Sequence, residues 1–212
     1  MKLVISAVGW ISIVATTGAF DGAFSWAALG MFTTQSNILC AVYFTIATGR
    51  LLAGKDRTGR PFAPVFKGIA TMSVVVTFLV AWLILHMAVS FESAAGASLL
   101  GLHILVPLMA VADTVLFDAR GQLRWRDAFY GLTAPLLYLA EFVIVTAFGG
   151  QLGAGMAGPG ASTSSAPYPF LDVATLGVAG VSASVLAIAV GVLLCGIVGV
   201  ALDRLVGRRR HR

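Results

Sequence analysis

The chain has 212 residues, of which 58% are hydrophobic and only 11% are charged. This composition excludes an ordinary water-soluble domain, because repeated long apolar runs are typical of transmembrane helices. The formal net charge of +5 does not indicate nucleic-acid binding, since the lysines and arginines lie between apolar runs, as the positive-inside rule describes. We therefore predict an all-α, polytopic integral membrane bundle that forms one domain over residues 1–212.

Six apolar runs of membrane-spanning length follow one another along the chain. We interpret the first run as a span rather than a signal peptide, because no clear small-residue cleavage site follows it. Cys40 and Cys195 lie at different depths of their spans, so we expect them to pack rather than to form a disulfide. The six predicted spans cover about residues 3–20, 26–52, 65–90, 97–117, 128–148 and 172–202.

The connectors between the spans alternate in charge. Those after spans two and four, and the tail, are rich in lysine and arginine, whereas those after spans one, three and five contain neither. Basic connectors stay on the cytoplasmic side of a membrane. The alternation therefore predicts that both termini are cytoplasmic, which agrees with the position of Lys2, and that the protein crosses the cell membrane several times.

Polar and ionisable side chains inside the spans are costly in lipid and by default mark function. His86 lies in span three, His103 in span four and Glu141 in span five. Together with a polar cluster in span two, which starts about seven residues into that span, they lie roughly 8 to 12 Å below the outer ends of the spans. They are therefore expected to share one layer. The cluster in span two is Thr33, Thr34, Gln35, Ser36 and Asn37.

A layer of this kind suits nucleophilic catalysis. A hydroxyl beside an imidazole can act as a nucleophile with its general base, and a carboxylate or a second histidine can orient that imidazole. Asn37 lies one helical turn from Thr33 on the same face, so its amide is a candidate donor to a developing oxyanion. Thr34, Gln35, His86 and Glu141 are expected to support the site or to bind substrate.

Structural roles for the same residues stay open. Threonines in membrane helices usually hydrogen-bond to their own backbone, and Gln35 and Asn37 can simply join helices. His86 can pair with Glu141 and leave His103 alone. A metal site made of these two histidines and Glu141 has no diagnostic spacing, so we expect no metal and no other cofactor.

Four features outside the layer have simpler interpretations. Asp113 lies roughly 15 Å below His103 and is expected to pair with arginines on the inner side. Pro107 is expected to kink span four, and Asp172 to cap the start of span six. The segment rich in Gly, Ser, Ala and Pro at residues 149–169 lies on the outer side, where it forms either a lid over the site or an ordinary flexible linker.

Several segments of the chain resemble one known family. They are residues 32–37 (FTTQSN), 103–107 (HILVP), Asp113, 123–127 (LRWRD) and 167–172 (PYPFLD). In their order and spacing they are similar to the bacterial six-helix relatives of the androgen-induced and androgen-dependent TFPI-regulating proteins. The resemblance covers about residues 33–204, and it implies a bacterial inner-membrane protein.

The resemblance also implies a transmembrane threonine hydrolase. Animal members of the family cleave fatty acid esters of hydroxy fatty acids with one threonine and one histidine in their helices. The matching positions are Thr33, with Thr34 as a one-residue alternative, and His103, with His86 less favoured. No family role carries over to Glu141. The implied partners are a lipid ester substrate and the surrounding membrane lipids.

Two other functional classes remain open. One is a transporter or channel for a small polar or lipidic solute, which would use the polar layer as its binding site. The small number of spans and the absence of an internal repeat disfavour it. The other is a non-enzymatic membrane scaffold whose polar groups only pack helices. The sequence leaves the oligomeric state open.

Overall fold

The computed structural model describes residues 1–22, 24–55, 59–87, 94–153 and 166–209. Within these ranges the regular structure is helical and no strand occurs, which confirms the predicted all-α class. We number the six long helices α1 to α6 in chain order. They are α1 (Lys2–Thr16), α2 (Phe32–Leu52), α3 (Pro64–Leu79, extended by a π-helical turn at Val80–Ile84), α4 (Ala94–Leu100 and Val106–Phe117, joined by a π-helical turn at Gly101–Leu105), α5 (Thr133–Ala147) and α6 (Val173–Arg209).

Four helical stretches in the described part of the chain are long and apolar enough to cross a membrane. Helix α1 has 15 residues and is therefore roughly 22 Å long, which is shorter than the roughly 30 Å hydrocarbon core of a bilayer. Helix α2 has 21 residues, but its first turns are polar. The four stretches, each within or close to a predicted span, are Pro64–Ile84, Gly96–Phe117, Asp127–Ala147 and Val173–Gly207.

Three predicted span boundaries are wrong. The chain forms only a short helix at Trp26–Leu29 and turns before α2 begins at Phe32, so span two is not continuous. Span three stops being helical after Ile84, and His86 adopts a left-handed backbone with φ of +48°. Helix α6 continues beyond residue 202 to Arg209. It also bends where Gly177 has φ of +67°, a conformation that glycine adopts without a steric penalty.

The first four helices share one buried core. Small residues bring α1 close to α2, since a Cβ at Gly9 would lie 3.2 Å from Cβ of Ala41. Cys40 is buried in this core, and both cysteines are free, as expected. A second cluster of buried aromatic residues joins α5 to the segment that precedes α6. The core of α1 to α4 consists of Ile5, Cys40, Tyr43, Phe44, Ala47, Ala70, Val74, Val106 and Ala110.

Charged side chains meet at one end of this core. Nζ of Lys2 and Nζ of Lys67 each lie 2.7 Å from Oδ2 of Asp113. Lys67 also lies 2.7 Å from Asp118. The prediction that Asp113 pairs with arginines is therefore wrong, because the first turns of α1 and α3 bring lysines to the last turns of α4. We call these four residues the charged cluster.

Candidate active site

Thr33 and His103 contact each other toward the opposite end of α4 from the charged cluster. Oγ1 of Thr33 lies 3.2 Å from Nε2 of His103. His103 is buried, with only 5% of its surface exposed. The adjacent Thr34 is buried, makes no such contact and does not line the cleft beside the pair. The structure thus brings together the two residues that the sequence predicts as nucleophile and base, and it favours Thr33 over Thr34.

The start of α2 explains why the hydroxyl of Thr33 turns towards a histidine. Thr45 and Thr48, further along the same helix, each donate at 2.7 Å to the backbone carbonyl four residues earlier, as threonines in helices commonly do. Thr33 is the second residue of α2, which begins at Phe32. It therefore lacks the preceding helical turn that would offer such a carbonyl.

A backbone carbonyl orients the imidazole of His103. Its Nδ1 lies 3.1 Å from the carbonyl oxygen of Leu99. Because a carbonyl oxygen only accepts hydrogen bonds, Nδ1 carries the ring proton and Nε2 presents a lone pair. The hydroxyl of Thr33 then donates to Nε2. The sequence left open which group orients this imidazole, and the structure shows a backbone carbonyl in that position rather than a carboxylate or a second histidine.

His103 lies in the π-helical turn of α4, where the N–H of Val106 bonds to the carbonyl of Gly101, five residues earlier. Such turns are rare and often occur at functional sites. Pro107 comes next and has no N–H, so in the same register the carbonyl of Leu102 loses its partner. The kink predicted at Pro107 thus takes the form of a π-helical turn in which the carbonyl of Leu102 has no backbone donor.

Asn37 supplies the missing donor. Its Nδ2 donates to the carbonyl of Leu102 at 3.2 Å and to the carbonyl of Thr33 at 2.8 Å. Both amide protons are therefore used on backbone oxygens of the two elements that carry the candidate catalytic pair. The prediction that Asn37 donates to an oxyanion is wrong, and its observed contacts make it a residue that positions α2 against α4.

Gln35 and Glu141 form a separate pair beside the site. Nε2 of Gln35 lies 3.1 Å and 2.9 Å from the two carboxylate oxygens of Glu141. His86 is exposed and follows the end of the helical part of α3, so the alternative pairing of His86 with Glu141 is wrong. Within the described ranges no group of three or more His, Cys, Asp or Glu side chains is placed to hold a metal.

Thr33 and His103 line an apolar cleft that has a cavity volume of about 90 Å³ and is partly open to the outside. The polar lining side chains are Thr33, Thr77, His103, Tyr138 and Tyr168. The other lining residues are Phe32, Val76, Val80, Ala81, Leu85, Leu132, Pro135, Leu136, Leu139, Phe170, Leu171, Val185, Ile188 and Ala189.

Tyr168 is a site residue that the sequence interpretation missed. Its hydroxyl accepts a hydrogen bond of 3.4 Å from the backbone N–H of Thr33. Its ring is buried, stacks on Phe170 with centroids 5.2 Å apart, and packs edge-on against Tyr138. The available signal was a tyrosine between two prolines, because prolines restrict the backbone and most other residues of the segment 149–169 are small.

The outer segment 149–169 is therefore not a flexible linker throughout. Its residues 154–165 lie outside the described residues, but Ala166 and Tyr168 are buried against α5. Asp172 follows this segment and caps the start of α6, as predicted. Its Oδ1 accepts from the backbone N–H of Ala174 at 2.9 Å, and its Oδ2 from the hydroxyl of Thr175 at 2.7 Å.

No family model, no curated protein and no solved structure matches the chain. The resemblance carried by short motifs therefore stays a prediction. Function is inferred from the geometry of Thr33, His103 and the cleft beside them.

Proposed function

We propose that this protein is an intramembrane lipid-ester hydrolase in which Thr33 is the nucleophile and His103 the general base. The observation that carries the proposal is the 3.2 Å contact between the two polar side chains in the lining of a mainly apolar cleft. A lipid ester has one polar carbonyl and long apolar chains, which match these two parts of the site.

The proposed setting is the cell membrane, that of a bacterium if the motif resemblance holds, with six spans and both termini in the cytoplasm. Two observations support adding α1 and α2 to the four stretches that are long and apolar enough. Ile5 of α1 and Phe44 of α2 lie in one buried core with α3 and α4. The charged cluster also joins Lys2 and Lys67 at one end of that core, as the alternation of basic connectors requires.

The first half of the proposed reaction forms an acyl-threonine. Oγ1 of Thr33 attacks the ester carbonyl carbon while its proton passes to Nε2 of His103. The bond from Nδ1 to the Leu99 carbonyl keeps the imidazole in place as it becomes positively charged. The carbon–oxygen bond of the ester then breaks, and the leaving alkoxide takes the proton from Nε2.

The second half hydrolyses that intermediate. His103 takes a proton from water, the resulting hydroxide attacks the acyl carbon, and Thr33 is released as its hydroxyl regains a proton from His103. Negative charge develops on the carbonyl oxygen in both halves. The start of α2 is suited to stabilise this negative charge, because the N-terminus of a helix carries partial positive charge. The hydroxyl of Tyr168, 3.4 Å from the backbone nitrogen of Thr33, is a second polar group at the same position.

The test uses purified protein in detergent micelles and fatty acid esters of hydroxy fatty acids, the substrate class that the motif resemblance suggests. The variants are Thr33→Ala and His103→Ala, and their matched controls are Thr34→Ala and His86→Ala. We expect both catalytic variants to lose about a thousandfold or more of the hydrolysis rate, as in related nucleophile–histidine systems. The two controls should stay close to the unmodified protein.

A hydroxyl-directed covalent probe provides a second measurement. We expect the probe to label Thr33 in the unmodified protein and not in His103→Ala, because the nucleophile depends on its base. Hydrolysis and labelling that survive in both catalytic variants would refute the dyad. Solute flux without ester cleavage in reconstituted vesicles would favour a transporter instead.

A further inference from the structure

Below the cleft, α6 contacts the short helix that precedes α5, and beside the cleft α6 lies apart from α5. At the lower end, α6 packs against the short helix Asp127–Tyr130, and a Cβ at Gly196 would lie 2.7 Å from the carbonyl oxygen of Ala128. Val192, one turn above, is buried. Along α5 itself the described backbones of the two helices make hardly any close approach. The cleft occupies the space between them.

Aromatic side chains close the upper end of this space. Tyr138 and Phe142 of α5 cluster with Tyr168 and Leu171, and Val181 and Val185 of α6 pack against that cluster. Between these two ends the cleft is partly open to the outside. We call this opening the portal, and the cleft residues beside it are Leu136 on α5 and Val185, Ile188 and Ala189 on α6.

The portal connects the cleft with the outer apolar surface of the bundle. Leu136 lines the cleft and is still 52% exposed, so it belongs to both surfaces. Leu186 and Val190, on the outer face of α6, are also exposed. In a membrane this face contacts the acyl chains of lipids. Lipid acyl chains therefore also surround the portal.

We propose that the portal admits a single unbranched acyl chain sideways from the bilayer and holds it below Thr33 and His103. The inference rests on the proposed function, which supplies the ester at the polar end. The hydroxyl of Thr77 is bonded to Ser36, so the polar groups that face a ligand are those around Thr33 and His103. The remaining lining is apolar, which fits a ligand with one polar head and one apolar tail. The α3 wall runs from Leu85 to Val76, nine residues or roughly 13 Å.

Ala189 is the residue that sets how long a chain the cleft accepts. It lines the cleft on α6, one turn above the buried Val192. Its small side chain leaves room that a larger one would fill. A phenylalanine there is expected to exclude the terminal methylenes of a long chain, while a chain too short to reach this level stays unaffected.

The experiment measures binding without catalysis. Thr33→Ala protein in detergent micelles is loaded with cis-parinaric acid, and saturated fatty acids of increasing length displace it. Adding Ala189→Phe should weaken binding of long chains by about fourfold for each methylene excluded, and leave short chains unchanged. Ala189→Leu should give a smaller shift in the same direction, and it decides the question if the phenylalanine variant does not fold.

The matched control is Ala187→Phe, which adds the same side chain to the same helix at an exposed position outside the cleft. Unchanged chain-length preference in the folded Ala189 variants, or an equal shift in the control, would overturn the inference. The two proposals fail differently. Hydrolysis by the unmodified protein without any shift refutes the acyl portal, whereas a shift without hydrolysis refutes the hydrolase.

Discussion

Nδ2 of Asn37 donates a hydrogen bond of 3.2 Å to the backbone carbonyl of Leu102, the residue before His103. The same nitrogen donates at 2.8 Å to the carbonyl of Thr33. One buried amide thus ties the backbone of the candidate nucleophile to the backbone of the candidate base. The pair is held by main-chain contacts on both sides, because the imidazole is also bonded to the carbonyl of Leu99.

The first prediction concerns the coupling of Asn37 with Pro107. Asn37→Ala removes the side-chain donor to the buried carbonyl of Leu102, whereas the carbonyl of Thr33 keeps the hydroxyl of Ser36. The change should lower the free energy of unfolding by about 1 to 3 kcal/mol. Pro107→Ala restores an N–H that can bond to the carbonyl of Leu102. The double variant should therefore be more stable than the sum of the single changes predicts, by about 0.5 kcal/mol or more. Denaturant unfolding in micelles measures the cycle, and strict additivity would contradict the proposed link.

The second prediction separates Glu141 from the catalytic pair. Glu141 bonds to Gln35 and not to His103, so Glu141→Gln should leave ester hydrolysis nearly unchanged. A carboxylate that oriented the base would behave differently, because its replacement by the amide costs about a thousandfold or more in serine hydrolases. Initial rates for this variant and the unmodified protein, at matched protein concentration, decide between the two roles.

The third prediction concerns the charged cluster. Lys67 is buried and forms ion pairs with both Asp113 and Asp118. Lys67→Met should lower the free energy of unfolding by about 3 to 5 kcal/mol, because Asp118 loses its lysine and the buried Asp113 keeps only Lys2. Lys2→Met should cost clearly less, since the side chain of Lys2 is 18% exposed and Asp113 keeps its bond to Lys67. Equal losses for the two lysines, measured by chemical denaturation, would show that this ranking is wrong.

The fourth prediction tests the close approach of α1 to the π-helical turn. A Cβ at Gly101 would lie 2.9 Å from Cβ of Ser12, so Gly101→Ala should destabilise the protein by about 1 to 3 kcal/mol. It should also slow hydrolysis, because the turn carries His103.

Gly49→Ala is the control for that prediction, since a Cβ at Gly49 would meet nothing within 4 Å. Alanine is the better helix former, so this change should stabilise the protein by about 0.5 to 1 kcal/mol. The midpoint of thermal unfolding in micelles is expected to move in opposite directions for the two alanine variants. A shift in the same direction would argue against the tight contact.

Much of the architecture follows from composition and periodicity. Long apolar runs imply helices because a spanning segment must satisfy its own backbone hydrogen bonds in lipid. The same reasoning marks Thr33 and His103, because polar groups in such runs need a structural or functional reason. This reasoning does not exclude His86 from the site, because the apolar pattern of span three continues beyond Ile84, where the helix ends.

The sequence by itself determined the helical class, the polar residues placed within apolar runs, and the cap at Asp172. Tertiary structure alone decided which of those polar residues meet. Leu99 orients the imidazole through a backbone atom that carries no sequence signature, and Tyr168 reaches Thr33 across 135 positions of the chain. The physical reason is that contacts between helices depend on where each helix starts, bends and packs, whereas periodicity reports only which face of each helix is apolar.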